Sequence, residues 1–288
     1  MKTVIFGAKG QLGGDLVDAL KDVEIIPLDY DEVDISDSKS VARAFKEYKP
    51  ELVINTAAMT DVPECERNDI KAFTVNGLGC KFIAQNCLEH NSILAYISTD
   101  YVFDGKKNSP YVEDDLPNPL NVYGISKLVG EYYIRALMER YFIVRTSGLY
   151  GLHKCIGKGG NFVDSMLRLS KEKKEIKVID DEILTPTYTL DLANQIKDLI
   201  KTNPYGIYHV TNEGSCSWYE FAEEIFRFLD IKVNLVKIGQ DEFPSIVKRP
   251  HCSVLENKRL KSLGINKMRD WKDALHSYLI QRKKLNLV

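Results

Sequence analysis

Cysteine is scarce and unpatterned in this chain of 288 residues. The six thiols, at 65, 80, 87, 155, 216 and 252, form no C-x-x-C pair and no regular framework. That argues against a disulfide scaffold or a zinc ribbon and suits reduced thiols in a cytoplasm. Histidine is as sparse, with five residues scattered from 90 to 276 and no H-E-x-x-H, so no metal site is expected. Neither sign of charge dominates: 39 basic residues face 41 acidic ones, for a net charge of -2. That balance argues against a bulk electrostatic footprint for nucleic acid or an anionic membrane. No apolar run reaches the roughly 18 residues of a membrane span. The chain opens directly into a strand pattern without a signal peptide, and it has no internal repeat or low-complexity stretch. Its length exceeds one typical domain and can bury a substantial core.

What is present begins at the N-terminus. Lys2 to Phe6 is apolar and β-branched enough for a short buried strand, and it runs into Gly7-Ala8-Lys9-Gly10-Gln11-Leu12-Gly13. An amphipathic helix follows, with Leu12, Leu16, Val17 and Leu20 on one face. The glycines therefore fall at a strand-to-helix turn. Gly7 permits the tight turn, Gly10 the close approach of a pyrophosphate, and Gly13 close packing of helix on strand. The free N–H groups and dipole of the helix N-terminus favour phosphate, so this segment reads as a dinucleotide site. The next strand, Glu24 to Leu28, ends at Asp29, about twenty positions after the glycines, where a carboxylate can accept from the adenine ribose hydroxyls. It would also repel a 2′-phosphate, favouring NADH over NADPH unless Lys9 or Lys39 offsets it. Asp34 and Ile35 follow as a border for the adenine.

Strand and helix patterns alternate through the first 150 residues. Strands are predicted at 51–55, 92–97 and 141–146, with helices at 67–89 and 121–140. Repeated β-α-β units imply an α/β fold with a Rossmann-type, doubly wound parallel sheet. Residues 1–150 are expected to form this dinucleotide-binding domain. Residues 151–288 mainly form a smaller α/β substrate domain, with segments exchanged between the two. Ligands of such sheets bind beyond the carboxyl ends of the strands, where Gly7, Ala57, Thr99 and Thr146 all fall. Tyr123 and Lys127 lie four residues apart, a spacing that places a phenol and an ammonium on one helix face. A lysine held there is expected to lower the phenol pKa, so that Tyr123 passes a proton to a carbonyl oxygen.

These segments together resemble the dTDP-4-dehydrorhamnose reductase family of extended short-chain dehydrogenase/reductases, nearly end to end. The resemblance runs through Phe6 to Gly13, Val53 to Thr60, Ser98-Thr99-Asp100-Tyr101-Val102-Phe103-Asp104-Gly105 and Pro119 to Lys127. It continues through Arg145-Thr146-Ser147, Gly160-Asn161-Phe162, Thr185-Pro186-Thr187 and Lys248-Arg249-Pro250. It implies reduction of the 4-keto group of a dTDP-linked 6-deoxy sugar with NADPH or NADH. By the same resemblance, Tyr123 donates the proton, Lys127 holds the nicotinamide ribose, Thr99 orients the keto oxygen and Asp100 contacts the sugar. Gly10, Gln11, Leu12, Asp29, Asp34, Ile35, Ala58, Met59 and Thr60 would line the cofactor.

The chain departs from the family pattern in two places. Where the family often has R-T-S-W-x-Y-G, residues 145–151 have Gly148 in place of the tryptophan, which removes an aromatic wall from the sugar pocket. Where D-D-Q-x-G-T-P-T is usual, residues 180–187 carry Glu182 for the amide and Leu184 for the glycine. Both bear on the identity of the sugar. Asp15 could replace an acid that some relatives use in a magnesium-supported dimer, but Leu190 lacks the other carboxylate, so no metal is carried over.

In the C-terminal half, residues 153–160 read as a loop, 171–177 as a solvated helix end and 207–210 as a strand. Ser217 and Glu220 form a capping box for a helix through Leu229, with Phe221, Ile225 and Phe228 as core. Arg249 is a candidate diphosphate contact or a structural ion pair. The remaining alternatives are a reductase of another 4-keto-6-deoxy sugar nucleotide, or a non-catalytic NADP(H)-binding subunit resembling the methionine adenosyltransferase β subunit. A homodimer is an open expectation.

Overall fold

The computed structural model describes residues 1–154 and 159–287. The chain begins with the expected strand–turn–helix: β1 (Thr3–Phe6), the glycine turn, and α1 (Gln11–Ala19). Leu12 and Leu16 are buried on α1, with Leu20 at its end, and Val17 packs beside them. Then come β2 (Ile25–Leu28), α2 (Ser38–Tyr48) and β3 (Leu52–Asn55).

The predicted helix over 67–89 is broken. It divides into α3 (Val62–Arg67), α4 (Asp69–Ala72), a π-helical turn (Phe73–Leu78) and α5 (Gly79–Glu89). The wide turn projects Asn76 out of the helix, where its carboxamide takes both the N–H and the C=O of Met59, at 2.8 and 3.0 Å. β4 (Ile93–Thr99), α6 (Val122–Leu137), β5 (Tyr141–Thr146) and β6 (Leu149–Tyr150) follow.

The later elements are α7 (Phe162–Glu172), β7 (Glu175–Ile179), β8 (Ile183–Leu184), β9 (Thr187–Tyr188), α8 (Thr189–Leu199) and β10 (Gly206–His209). β11 (Cys216–Ser217), α9 (Trp218–Leu229), β12 (Asn234–Ile238), α10 (Lys258–Ser262) and α11 (Trp271–Lys284) complete the chain. The charged run 171–177 is not wholly a helix end: α7 stops at Glu172, and the rest enters β7, where Ile176 turns inward.

The main sheet has the order β10-β5-β4-β3-β1-β2, and every pair in it is parallel. The order reverses between β1 and β3, which opens a crevice at their carboxyl ends. The sixth strand, β10, arrives from the C-terminal half, and α8 packs on α1 through the same core as Leu192, Ile196 and Tyr208. A second core gathers Tyr150, Tyr188, Phe221, Trp271 and Tyr278 among α7, α9 and α11. Phe221 and Ile225 lie in it as expected, whereas Phe228 is only partly buried and stacks on His276. Among the described residues no helix is long and apolar enough to cross a membrane.

Candidate active site

A cleft of about 1110 Å³ runs along the carboxyl ends of the sheet strands. At one end is the glycine turn. Gly7 has φ +76°, and a Cβ there would stand 2.7 Å from the Ala57 nitrogen. A Cβ on Gly13 would stand 2.2 Å from the Gly7 oxygen, so α1 can meet β1 only because position 13 has no side chain. Gly10 caps α1 without a side chain, leaving the first N–H groups of the helix clear at the cleft. This bare cradle fits a dinucleotide pyrophosphate.

The neighbouring residues are firmly held. Asp29 accepts from the Lys9 and Tyr30 backbone N–H groups, both at 2.8 Å. The Lys9 ammonium is occupied by Asp31 and Glu32, at 3.1 and 3.3 Å. Asp34 spends one oxygen on Ser36, and Ile35 is buried beside it. Gln11 donates to the Gly151 carbonyl at 3.2 Å. Leu12, Ala58 and Thr60 complete this part of the lining. Met59 sits between the lining residues Ala58 and Thr60, and Arg249 precedes the lining residue Pro250, with its charge felt by Tyr101 and Glu182 in the cleft. Met59 has its backbone clamped by Asn76, whose position in a π-helical turn has no clear sequence signature. Arg249 follows Lys248, whose carbonyl is held by Asn121, and Arg249's own carbonyl accepts from Gln240.

The middle of the cleft holds Thr99, Tyr123 and Lys127 together. Asn121 caps α6 through the Gly124 N–H at 2.9 Å, which puts Tyr123 in the first turn. A Cβ on Gly124 would lie 2.1 Å from the Tyr101 carbonyl, so glycine there lets the α6 terminus abut the 3-10 turn that follows β4. The Tyr101 and Tyr123 rings meet edge to face at 5.9 Å. The Thr99 hydroxyl lies close enough to the Tyr123 phenol to favour its charged form, and it donates to the Asp100 carboxylate at 3.1 Å.

The electrostatics differ from the sequence expectation. Burial pushes the Tyr123 phenol up, the Thr99 hydroxyl opposes that rise, and Lys127 is not among the groups lowering it. Lys127 instead donates to the Ile97 carbonyl at 2.6 Å and stands 4.2 Å from the Tyr96 ring centroid. Burial lowers its ammonium to about 8, against the opposing pull of Cys80, Glu131 and Cys65. Beneath it, Glu131 forms a fork with Arg145 at 3.0 and 2.6 Å and accepts from Ser98 at 2.5 Å.

Asp100 lines the cleft but is a buried junction. Its Oδ2 accepts from Ser147 at 2.8 Å and Ser253 at 2.5 Å. Burial raises this carboxyl, while the Ser253, Ser147 and Thr99 hydroxyls stabilise its charged form. At the far end, Gly148 has φ +55°, and a Cβ there would lie 2.7 Å from Leu184 Cδ1. The missing aromatic wall is therefore replaced from the other side by Leu184. Trp218, at the start of α9, supplies an aromatic ring to the same lining, in contact with Phe162 at 4.5 Å between centroids. Sequence patterning gives no sign of that role, because the position reads as an ordinary first helical turn. Of the expected loop at 153–160, residues 155–158 lie outside the described residues.

A phosphate cradle at a sheet switch point, opening towards the Thr99 and Tyr123 hydroxyls, defines a Rossmann-fold oxidoreductase site. Comparison with known proteins narrows this class. Residues 1–283 match the model of the family described as RmlD substrate binding domain. The chain is 40% identical over 283 residues to the spore coat polysaccharide biosynthesis protein SpsK of Bacillus subtilis strain 168, covering 98% of each. It is 37% identical to a dTDP-4-dehydrorhamnose reductase of Aggregatibacter actinomycetemcomitans, covering 95% of this chain and 97% of the relative. The crystal structure of dTDP-4-dehydrorhamnose reductase from Bacillus anthracis str. Ames, in complex with NADP, superposes with a TM-score of 0.93 at 40% identity, covering 98% of this chain and 100% of that one. The chain belongs to the RmlD substrate binding domain family, that of the dTDP-4-dehydrorhamnose reductases.

Proposed function

We propose that the protein uses NADPH or NADH to reduce the 4-keto group of dTDP-4-dehydro-L-rhamnose, giving dTDP-L-rhamnose for polysaccharide synthesis. The observation that carries this reading is the presence of Thr99, Tyr123 and Lys127 in one cleft with the bare glycine cradle. Relatives named for this reaction, covering almost the whole chain, support it.

A bound nicotinamide cofactor supplies the hydride. The protein must then hold the ketone and deliver a proton to its oxygen. Thr99 orients that oxygen and Tyr123 gives up the phenolic proton. The raised phenol suits this task, since a donor must stay protonated until the carbonyl oxygen gains electron density. Lys127, its ammonium brought down to about 8 by burial, offers its charge to the cofactor ribose. Gly7, Gly10, Gln11, Leu12 and Gly13 cradle the pyrophosphate, while Asp29, Asp34 and Ile35 take the adenosine end. Ala58 and Thr60 pack along the cofactor. Asp100 acts on the sugar only indirectly, by fixing Thr99 and Ser147. We place the enzyme in the cytoplasm, where nicotinamide cofactors and nucleotide sugars are available.

The test is NADH and NADPH oxidation with enzymatically generated dTDP-4-dehydro-L-rhamnose, for wild type and Tyr123→Phe. Wild type should turn over. The variant should lose about 10²–10⁴-fold in kcat while binding NADH within about twofold of wild type. Normal turnover by Tyr123→Phe would remove the proton-donor role. Absence of oxidation across several 4-keto sugar nucleotides, with cofactor still bound, would identify a non-catalytic cofactor-binding subunit.

A further inference from the structure

Two residues before Leu184, the same stretch of chain carries a carboxylate that the reduction chemistry does not use. Glu182 is 4% exposed and lines the cleft with Gly148, Leu184 and Trp218. Its Oε1 meets no donor from the protein. Buried acceptors are almost always paired, and an unpaired carboxylate oxygen is the costliest kind.

The backbone cannot swing this group out to water. Directly after it, β8 pairs with β11 on one side. On the other, the Ile183 N–H donates to His251 at 2.7 Å and the Ser253 N–H donates to Ile183 at 2.9 Å. Burial holds the Glu182 carboxyl above its ordinary range, Asp181 adds to that, and Arg249, Trp218 and His251 oppose it. The charge of Glu182 also reaches the Tyr101 phenol, and Tyr101 is the ring set edge to face on Tyr123. Glu182, Tyr101 and Tyr123 all line the one cleft, with Tyr101 in ring contact with the proton donor and within electrostatic reach of Glu182. A ligand group that reaches both Glu182 and Tyr123 belongs to the ring carrying the ketone, and not to a distant nucleobase. Near the ketone, a nucleotide sugar offers only ring hydroxyls as donors.

We propose that Glu182 is a specificity-determining residue that accepts a hydrogen bond from a ring hydroxyl of the bound sugar, an inference that rests on the reductase reading above. A carboxylate only accepts, whereas the amide usual in the family both donates and accepts. The pocket would thus select a sugar with a hydroxyl at this point and reject its deoxygenated counterpart, because the deoxy ligand leaves the acceptor unpaired.

The experiment is calorimetric titration of the NADH-loaded protein with dTDP-L-rhamnose, its 2-deoxy and 3-deoxy analogues, and dTDP. Wild type should bind one deoxy analogue at least about tenfold more weakly than dTDP-L-rhamnose. Glu182→Leu should lose the same factor for dTDP-L-rhamnose, lose nothing further for that analogue, and bind dTDP as wild type does. Glu182→Gln keeps an acceptor oxygen and should recover most of the loss. In turnover, Glu182→Leu should raise KM and spare kcat. An equal loss for dTDP would assign the contact to the nucleobase and overturn the proposal. So would wild-type indifference to both deoxy analogues, a result that needs no variant to fold. The binding measurements do not depend on turnover. If wild type reduces no ketone yet shows this binding pattern, the reductase reading fails and the Glu182 assignment stands.

Discussion

Lys127 Nζ donates to the Ile97 carbonyl at 2.6 Å, which aligns the ammonium with β4 instead of aiming it at the phenol four residues earlier. Because burial brings this lysine down to about 8, its charge is lost near working pH. If the ammonium serves the cofactor, kcat/KM should fall as pH rises through about 8. Glu131 helps to keep the charge on Lys127, so Glu131→Gln should move that limb to lower pH. Stability has the opposite sign. Between pH 8 and 10.5 the unfolded chain binds the proton more tightly than the folded one, so folding stability gains from rising pH across that window. Lys127→Met should lack the gain. Denaturant titrations at pH 8 and 10 test this, and a rate profile flat to pH 10 would show that the charge is not needed.

The Arg145–Glu131 fork is almost fully buried, at 1% and 0% side-chain exposure. Removing one partner strands the other's charge. Arg145→Met and Glu131→Leu should each cost about 3–5 kcal/mol in urea unfolding. The double variant should cost much less than the sum, since both charges then go together. Additive losses would show that the two side chains do not act as a pair.

Gly148 and Leu184 exchange sizes relative to the family pattern of tryptophan and glycine. Gly148→Trp alone should lower the melting temperature sharply, because Leu184 Cδ1 stands 2.7 Å from the new Cβ. Adding Leu184→Gly should recover most of the loss. The remainder, about 1–2 kcal/mol, reflects the φ of +55° that an L residue resists. Equal melting temperatures for the single and double variants would sink the exchange.

Asp29 faces the cleft, and the Lys9 ammonium is already paired with Asp31 and Glu32. Lys9 is thus not free to greet a 2′-phosphate. NADH should therefore be used in preference to NADPH, and Asp29→Ala should shift the kcat/KM ratio toward NADPH by on the order of tenfold. An unchanged ratio in steady-state assays would place the discrimination elsewhere.

The parts of the fold legible in the sequence are those set by local pattern. β1 and its glycine turn, the apolar face of α1, and the Ser217–Glu220 capping box need only neighbouring residues to define them. The same holds for the helix that carries Tyr123 and Lys127. What local pattern could not show depends on distant partners. β10 reads as a strand, but its place beside β5 is set by packing between residues more than sixty positions apart. The π-helical turn looks like uninterrupted helix until Met59 is seen to need Asn76. Spacing alone put Tyr123 and Lys127 on one face. Rotamer choice then decided that Ile97 and Tyr96 would take the ammonium. Trp218 gave no signal at all, since only the folded chain brings α9 to the cleft.

Asp100 gives the cleft a keel. Its carboxylate ties the end of β4 to Ser147, just past β5, and to Ser253, over a hundred and fifty positions along the chain. The two banks are thereby laced together by buried hydrogen bonds. Any narrowing around a ligand must then come from the rim downward, and substrates should enter by sliding in from above without prying the banks apart.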